Sequence, residues 1–91
     1  MSPAHHDRVL AITSHVPHLI AYTIVSTVSD LEETMRAEVI KFAASGFRDF
    51  TRVAGSDPTM WRDIFLSNRE AVLEMTGRLY EDIAQIGRAH V

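Results

Sequence analysis

The stretch Arg8–Val28, RVLAITSHVPHLIAYTIVSTV, decides the fold. Val9, Leu10, Ile12, Val16, Leu19, Ile20, Tyr22, Ile24, Val25 and Val28 recur at three- and four-residue spacings, the period of a helix. From Val16 onward the apolar residues extend around most of the circumference, so the stretch predicts a long helix buried on several sides. Ser2-Pro3 supplies its start, with Ser2 able to cap and Pro3 suited to the first helical position. Pro17 removes one backbone hydrogen bond and crowds the carbonyl of Thr13, which predicts a kink there with polar groups freed beside it. The longest apolar run, Val16–Val25, contains His18 and falls short of the ~20 residues of a membrane span, so no membrane partner and no leader are expected.

Working outward, Ser29-Asp30 predicts the cap of a second helix carrying Leu31, Met35, Val39, Ile40 and Phe42 inward, and Ser45-Gly46 predicts its stop. The short segment GFRDFTRVAG, residues 46–55, places Phe47, Phe50 and Val53 on one face and Arg48 and Arg52 on another. Asp57-Pro58 then predicts the cap and first turn of a final long helix with the stripe Trp61, Ile64, Phe65, Val72, Met75, Leu79 and Ile83. Ser67-Asn68-Arg69-Glu70 matches a capping box, which predicts a break and restart at Asn68. No strand pattern, repeat or low-complexity tract is present, and the fold class is all-α.

Composition excludes several functions. A chain of 91 residues is one small domain, and a net charge of -3, from 9 Lys+Arg against 12 Asp+Glu, points away from nucleic acid. The absence of cysteine excludes disulfides and thiolate metal sites and makes the cytoplasm the expected compartment. No glycine-rich dinucleotide turn, phosphate loop or nucleophile triad is present, so no catalytic residue is expected.

Two clusters remain that can carry chemistry. His15 and His18, at i,i+3, share a helix face, and His6, three turns before His18, lies close to the same side. No carboxylate accompanies the pair, so a metal is not expected. The imidazoles are either core groups satisfied by carbonyls freed at Pro17, or donors to an anionic ligand. Arg48 and Arg52, at i,i+4, repel one another, and Asp49 can pair with Arg52 while leaving Arg48 unaccounted for. A dicarboxylate would satisfy both arginines, with Trp61 as either an aromatic wall or a core residue. Asn68 is polar on an apolar stripe and is accounted for by capping.

HHDRVLAITSHVPHLIAY, followed by SGFRDFTRVAGSDPTMWRDIFLSN and EAVLEM, resembles the C-terminal helical domain of prephenate dehydrogenases, in particular the cyclohexadienyl (prephenate/arogenate) dehydrogenases of tyrosine biosynthesis. The resemblance runs through Gln85. It implies a helical dimerisation domain of the 6-phosphogluconate-dehydrogenase C-terminal type, without the N-terminal Rossmann domain that holds NAD or NADP in the family, and hence no turnover by this chain alone. It implies a homodimer and a prephenate or arogenate site. In that site His18 and Arg52 match substrate-binding positions, and Arg48, His15, His6 and Trp61 match supporting ones. Ser45 stands where the family often has the first glycine of GGFRD. A stand-alone helical dimerisation or small-anion-binding module is the other reading.

The domain is expected to span residues 1–85. Residues 86–91, IGRAHV, add a glycine and lose the apolar stripe, and ATC GGA AGA GCA CAC GTC, a sequencing adapter read in frame, encodes them. The expectation is a non-native tail on a truncated gene product.

Overall fold

The structure of the chain, a computed structural model, describes residues 1–89. Among them six α-helices run in order: α1 (Pro3–Leu10), α2 (Val16–Ser29), α3 (Glu33–Phe42), α4 (Ser45–Arg52), α5 (Pro58–Ser67) and α6 (Arg69–Ala89). The expected all-α class holds, and the described residues contain no strand.

A π-helical turn, Ala11–His15, joins α1 to α2 without a break, so the predicted long first helix runs from Pro3 to Ser29. Ser2 caps it as expected, its hydroxyl accepting the N–H of His5 at 3.2 Å. The disturbance predicted at Pro17 takes the form of this wide turn just ahead of it, where the N–H of Val16 reaches back to the carbonyl of Ala11. An extra residue in the turn makes room for the proline ring and its missing donor. It also rotates α2 by about one residue, ~100°, relative to α1. On a plain helix His6 and His18 would stand about 120° apart, and the wide turn brings them to within about 20°. The helix is 27 residues long with a mean hydropathy of 1.4 over its most apolar window, enough by length and composition to cross a membrane. The shorter run read from the sequence missed this because it stopped at the polar residues of the wide turn. Here α4, α6 and the turn after α4 pack along one side of it, but only 17% of that window is buried, so the helix expected to be buried on several sides is covered on one face alone.

Two predicted boundaries move. Glu32, not Ser29-Asp30, caps α3, its carboxylate accepting from the N–H groups of Thr34 and Met35 at 3.0 and 2.6 Å. Ser29 instead bonds back to the carbonyl of Val25 and Asp30 closes α2. Ser45-Gly46 opens α4 rather than ending α3, and Gly46 has no left-handed φ. Met35, Ile40 and Phe42, expected inward, are exposed.

Asp57 caps α5 as expected, accepting from the N–H of Thr59 at 3.1 Å, with Pro58 in the first turn. The chain breaks at Asn68, φ -119° and ψ 35°, and restarts as α6. The capping box itself does not form, because the Ser67 hydroxyl donates back to the carbonyl of Ile64 at 3.0 Å. α6 continues through Ala89, taking in residues expected to leave the helix, while His90 and Val91 lie outside the described residues.

The core is thin. Ala11, Val16, Ala21, Trp61, Ala71 and Val72 are its buried apolar residues. Where α6 crosses the wide turn, Ala11 meets Ala71 and Val72, with Leu19 and Met75 packed around them. Side chains that end at Cβ let the two backbones approach closely, which sets Asn68, at the head of α6, beside His15.

Candidate functional site

The wide turn and the start of α2 present His15 and His18 to α5. The His18 ring stacks on Trp61 with centroids 3.5 Å apart and planes 14° from parallel. The His15 ring meets the same indole edge-on, 6.1 Å away at 76°. Phe65 lies 5.7 Å from Trp61, and Tyr22 closes the row edge-on at 6.4 Å. The Tyr22 hydroxyl donates to the carbonyl of Ser56 at 2.8 Å, tying α2 to the segment that leads into α5.

Each imidazole is anchored through Nδ1. That of His18 donates to the carbonyl of Ser14 at 2.8 Å, one turn back. The carbonyl partner belongs to the wide turn, in keeping with freed acceptors near Pro17. That of His15 lies 3.1 Å from the Asn68 amide nitrogen, which also donates to the carbonyl of Asp7 at 2.9 Å. Among the described residues His15 is the buried polar residue of the core, 9% exposed. Burial first, and the neighbouring His18 second, hold its pKa below the usual 6.5, against an opposing pull from Asp7.

Of the two readings of Trp61, wall or core, the structure bears out the core: it is 8% exposed, with His18 stacked on its face. Arg48 and Arg52 lie exposed on α4, which packs against α2. Among the described residues neither makes an ion pair, and Asp49 does not pair with Arg52. Neither arginine hydrogen-bonds to His15 or His18 among the described residues. His6 is exposed, 3.9 Å from the Asp7 carboxylate and apart from the aromatic row. The structure thus brings together His15, His18 and Trp61, places Arg48 and Arg52 on the adjoining helix, and leaves His6 outside. Asn68, which the sequence assigns to capping, instead joins this cluster through its side-chain amide; a polar residue on an apolar stripe is the signal for it.

Two open concavities flank this region. One, about 410 Å³, is lined by Tyr22, Pro58, Trp61, Arg62, Phe65 and Leu66. The other, about 440 Å³, lies between α1 and the head of α6, beside Asp7, Arg8 and Asn68. Among the described residues no three His, Asp or Glu side chains gather as metal ligands.

A family model described as prephenate dehydrogenase, dimerization domain, matches residues 2–89. The chain belongs to that family. It is 44% identical over 89 residues to the cyclohexadienyl dehydrogenase of Zymomonas mobilis, covering 98% of this chain and 30% of that protein. Against the prephenate dehydrogenase of Bacillus subtilis it is 42% identical over 86 residues, covering 94% of this chain and 23% of that one. The crystal structure of prephenate dehydrogenase from A. aeolicus, in complex with hydroxyphenyl propionate and NAD+, matches with a TM-score of 0.85 at 39% identity over 97% of this chain and 30% of that one. The chain therefore spans less than a third of the relatives it matches, and its prephenate dehydrogenase dimerization-domain fold is the one the sequence resemblance implied.

Proposed function

We propose that this chain is the dimer-forming, substrate-binding helical part of a cytoplasmic NAD(P)-dependent prephenate or arogenate dehydrogenase of tyrosine biosynthesis. In that reaction the ring carbon bearing the hydroxyl gives hydride to the nicotinamide, the ring carboxylate leaves as CO2, and the proton that the hydroxyl gives up on oxidation returns to the resulting phenolate oxygen, yielding 4-hydroxyphenylpyruvate from prephenate. The described residues do not fit a dinucleotide. They form no strand, and none of the glycines has the positive φ of a tight phosphate turn. Hydride transfer is accordingly routed through no residue of this chain, whose task is binding.

The observation that carries the reading is the pair of cations on α4. Arg48 and Arg52 stand one turn apart with no ion-pair partner among the described residues, on the helix packed against the one that holds His18 on Trp61. Two guanidiniums so placed suit a dicarboxylate. Arg52, in the last turn of α4, clamps one carboxylate through two parallel N–H bonds and Arg48 supports it. His18 and His15 line the wall, and His6, outside the aromatic row, supports from α1. The test is a segment exchange. Residues 1–85 of this chain replace the matching 30% of the Zymomonas mobilis enzyme, and prephenate-dependent NAD reduction is measured. Turnover by the chimera is expected. A folded, dimeric chimera that binds NAD but does not turn over prephenate would refute the assignment.

A further inference from the structure

We propose that Asn68 is a positioning residue that fixes the His15 imidazole as its Nε2–H tautomer, so that the site offers a neutral N–H donor to a carboxylate oxygen. The carbonyl of Asp7 can only accept, and its contact at 2.9 Å is with the Asn68 side-chain nitrogen. The opposite orientation of the amide would set two oxygens against each other, so the backbone of α1 decides which way Asn68 faces. The same NH2 group has a second hydrogen, and 3.1 Å away stands Nδ1 of His15. An N–H can donate only to a lone pair. Nδ1 is therefore unprotonated and the ring proton sits on Nε2, which has no hydrogen-bond partner among the described residues.

The geometry around Asn68 serves this contact. The chain breaks there, yet the main-chain groups stay satisfied: the Asn68 N–H reaches the carbonyl of Ile64 at 3.2 Å, and its own carbonyl accepts from Val72 at 3.0 Å. The side chain is left free to reach 61 residues back to α1 and 53 back to the wide turn. The titratable groups felt at His15 are Asp7 on α1 and His18 on α2, whereas α5 and the head of α6 face it with Trp61 and Asn68, which do not titrate. His18 is held the opposite way. Its Nδ1 donates to the carbonyl of Ser14, so the neutral ring presents a lone pair at Nε2. The two imidazoles are thus a preset donor and a preset acceptor rather than equivalent groups. The tautomer rests on the contacts alone; only its use toward a carboxylate rests on the proposed substrate.

Long-range 1H–15N correlation spectra of the 15N-labelled chain test it, with the His15 signals assigned by loss in His15→Gln. Wild type should show His15 protonated at Nε2 and bare at Nδ1. Asn68→Asp, isosteric but with only acceptors, should draw the proton to Nδ1 and raise the His15 titration midpoint. Asn68→Ala should give an averaged pattern of both tautomers. A wild-type His15 protonated at Nδ1, or a pattern unchanged in both variants, overturns the proposal. If both variants lose their helical circular dichroism, the wild-type spectrum alone decides. An inactive chimera with the Nε2–H tautomer intact would remove the substrate reading and leave this one standing. An active chimera with the reverse tautomer would do the opposite.

Discussion

Diluting the chain should melt it. Its accessible surface is 6834 Å² for a mass of 10.2 kDa, whereas a compact monomer of that mass exposes about 5,300 Å². The radius of gyration, 15.2 Å, likewise exceeds the roughly 12 Å expected of a compact domain of this length. The excess of roughly 1,500 Å² falls within the ~1,000–2,500 Å² that each partner of an obligate dimer buries. Leu73, Tyr80 and Ile83 form one exposed stripe on α6, at 59, 69 and 60% exposure, and Ile12 and Val25 stand exposed on the first helix. With a core of three alanines, two valines and a tryptophan, the lone chain has little to hold it. If two chains unfold together, a hundredfold rise in concentration stabilises the pair by RT ln 100, about 3 kcal/mol near the midpoint. Two 91-residue chains release about 0.38 kcal/mol/K on unfolding, at ~2.1 cal/mol/K per residue, so Tm should rise by about 8 °C. Circular dichroism melts at ~1 and ~100 µM, with sedimentation velocity at both, make the measurement. A reversible melt with a Tm independent of concentration, together with a monomer in the centrifuge, would refute the dimer argument.

Three further outcomes are expected. Trp61→Ala removes a large buried side chain together with the surface on which His18 stacks, and should cost about 3–5 kcal/mol by urea titration at fixed protein concentration. A loss under about 1 kcal/mol, closer to that of a surface change, would place Trp61 outside the core. Because the folded chain holds the His15 pKa below 6.5, the unfolded chain binds a proton first as pH falls; the contribution is complete above 6.5 and is lost as pH drops through the lowered folded value. The urea midpoint should fall over that window, and His15→Gln should flatten that part of the decline; an unchanged slope would argue against a buried neutral imidazole. In the chimera, Arg52→Ala should raise the prephenate KM about ten- to a hundredfold with the NAD KM unchanged, and His18→Ala should raise it less, since a charge-assisted guanidinium pair is worth roughly 1.5–3 kcal/mol and an imidazole offers one bond to its two. An unaltered prephenate KM in folded Arg52→Ala would remove Arg52 from the site.

What the sequence disclosed and what it withheld divide along the distance over which each feature is decided. Ser2-Pro3 and Asp57-Pro58 are settled by groups within a few residues, so their caps were legible. Ser29, Asp30 and Glu32 are all competent caps within one turn, and the choice among them depends on where α2 can stop, which the local code leaves open. Gly46 shows the same ambiguity, since glycine permits a left-handed exit without requiring one. Met35, Ile40 and Phe42 have the spacing of a core face, but the pattern cannot say whether the covering surface comes from the same chain. Arg48 and Arg52 were legible as a repelling pair, and the structure removes the Asp49 partner that would have explained one of them away. Asn68 is the instructive case. A capping box accounted for it locally, and that account removed the reason to look further, yet the Ser67 half of the box is spent on Ile64 and the amide serves residues on the first helix instead. A polar side chain on an apolar stripe has a desolvation cost that some partner must offset. When the local partner is only permitted rather than required, the opposing helix is the place to seek it, and here that helix carries the imidazole whose proton the amide fixes.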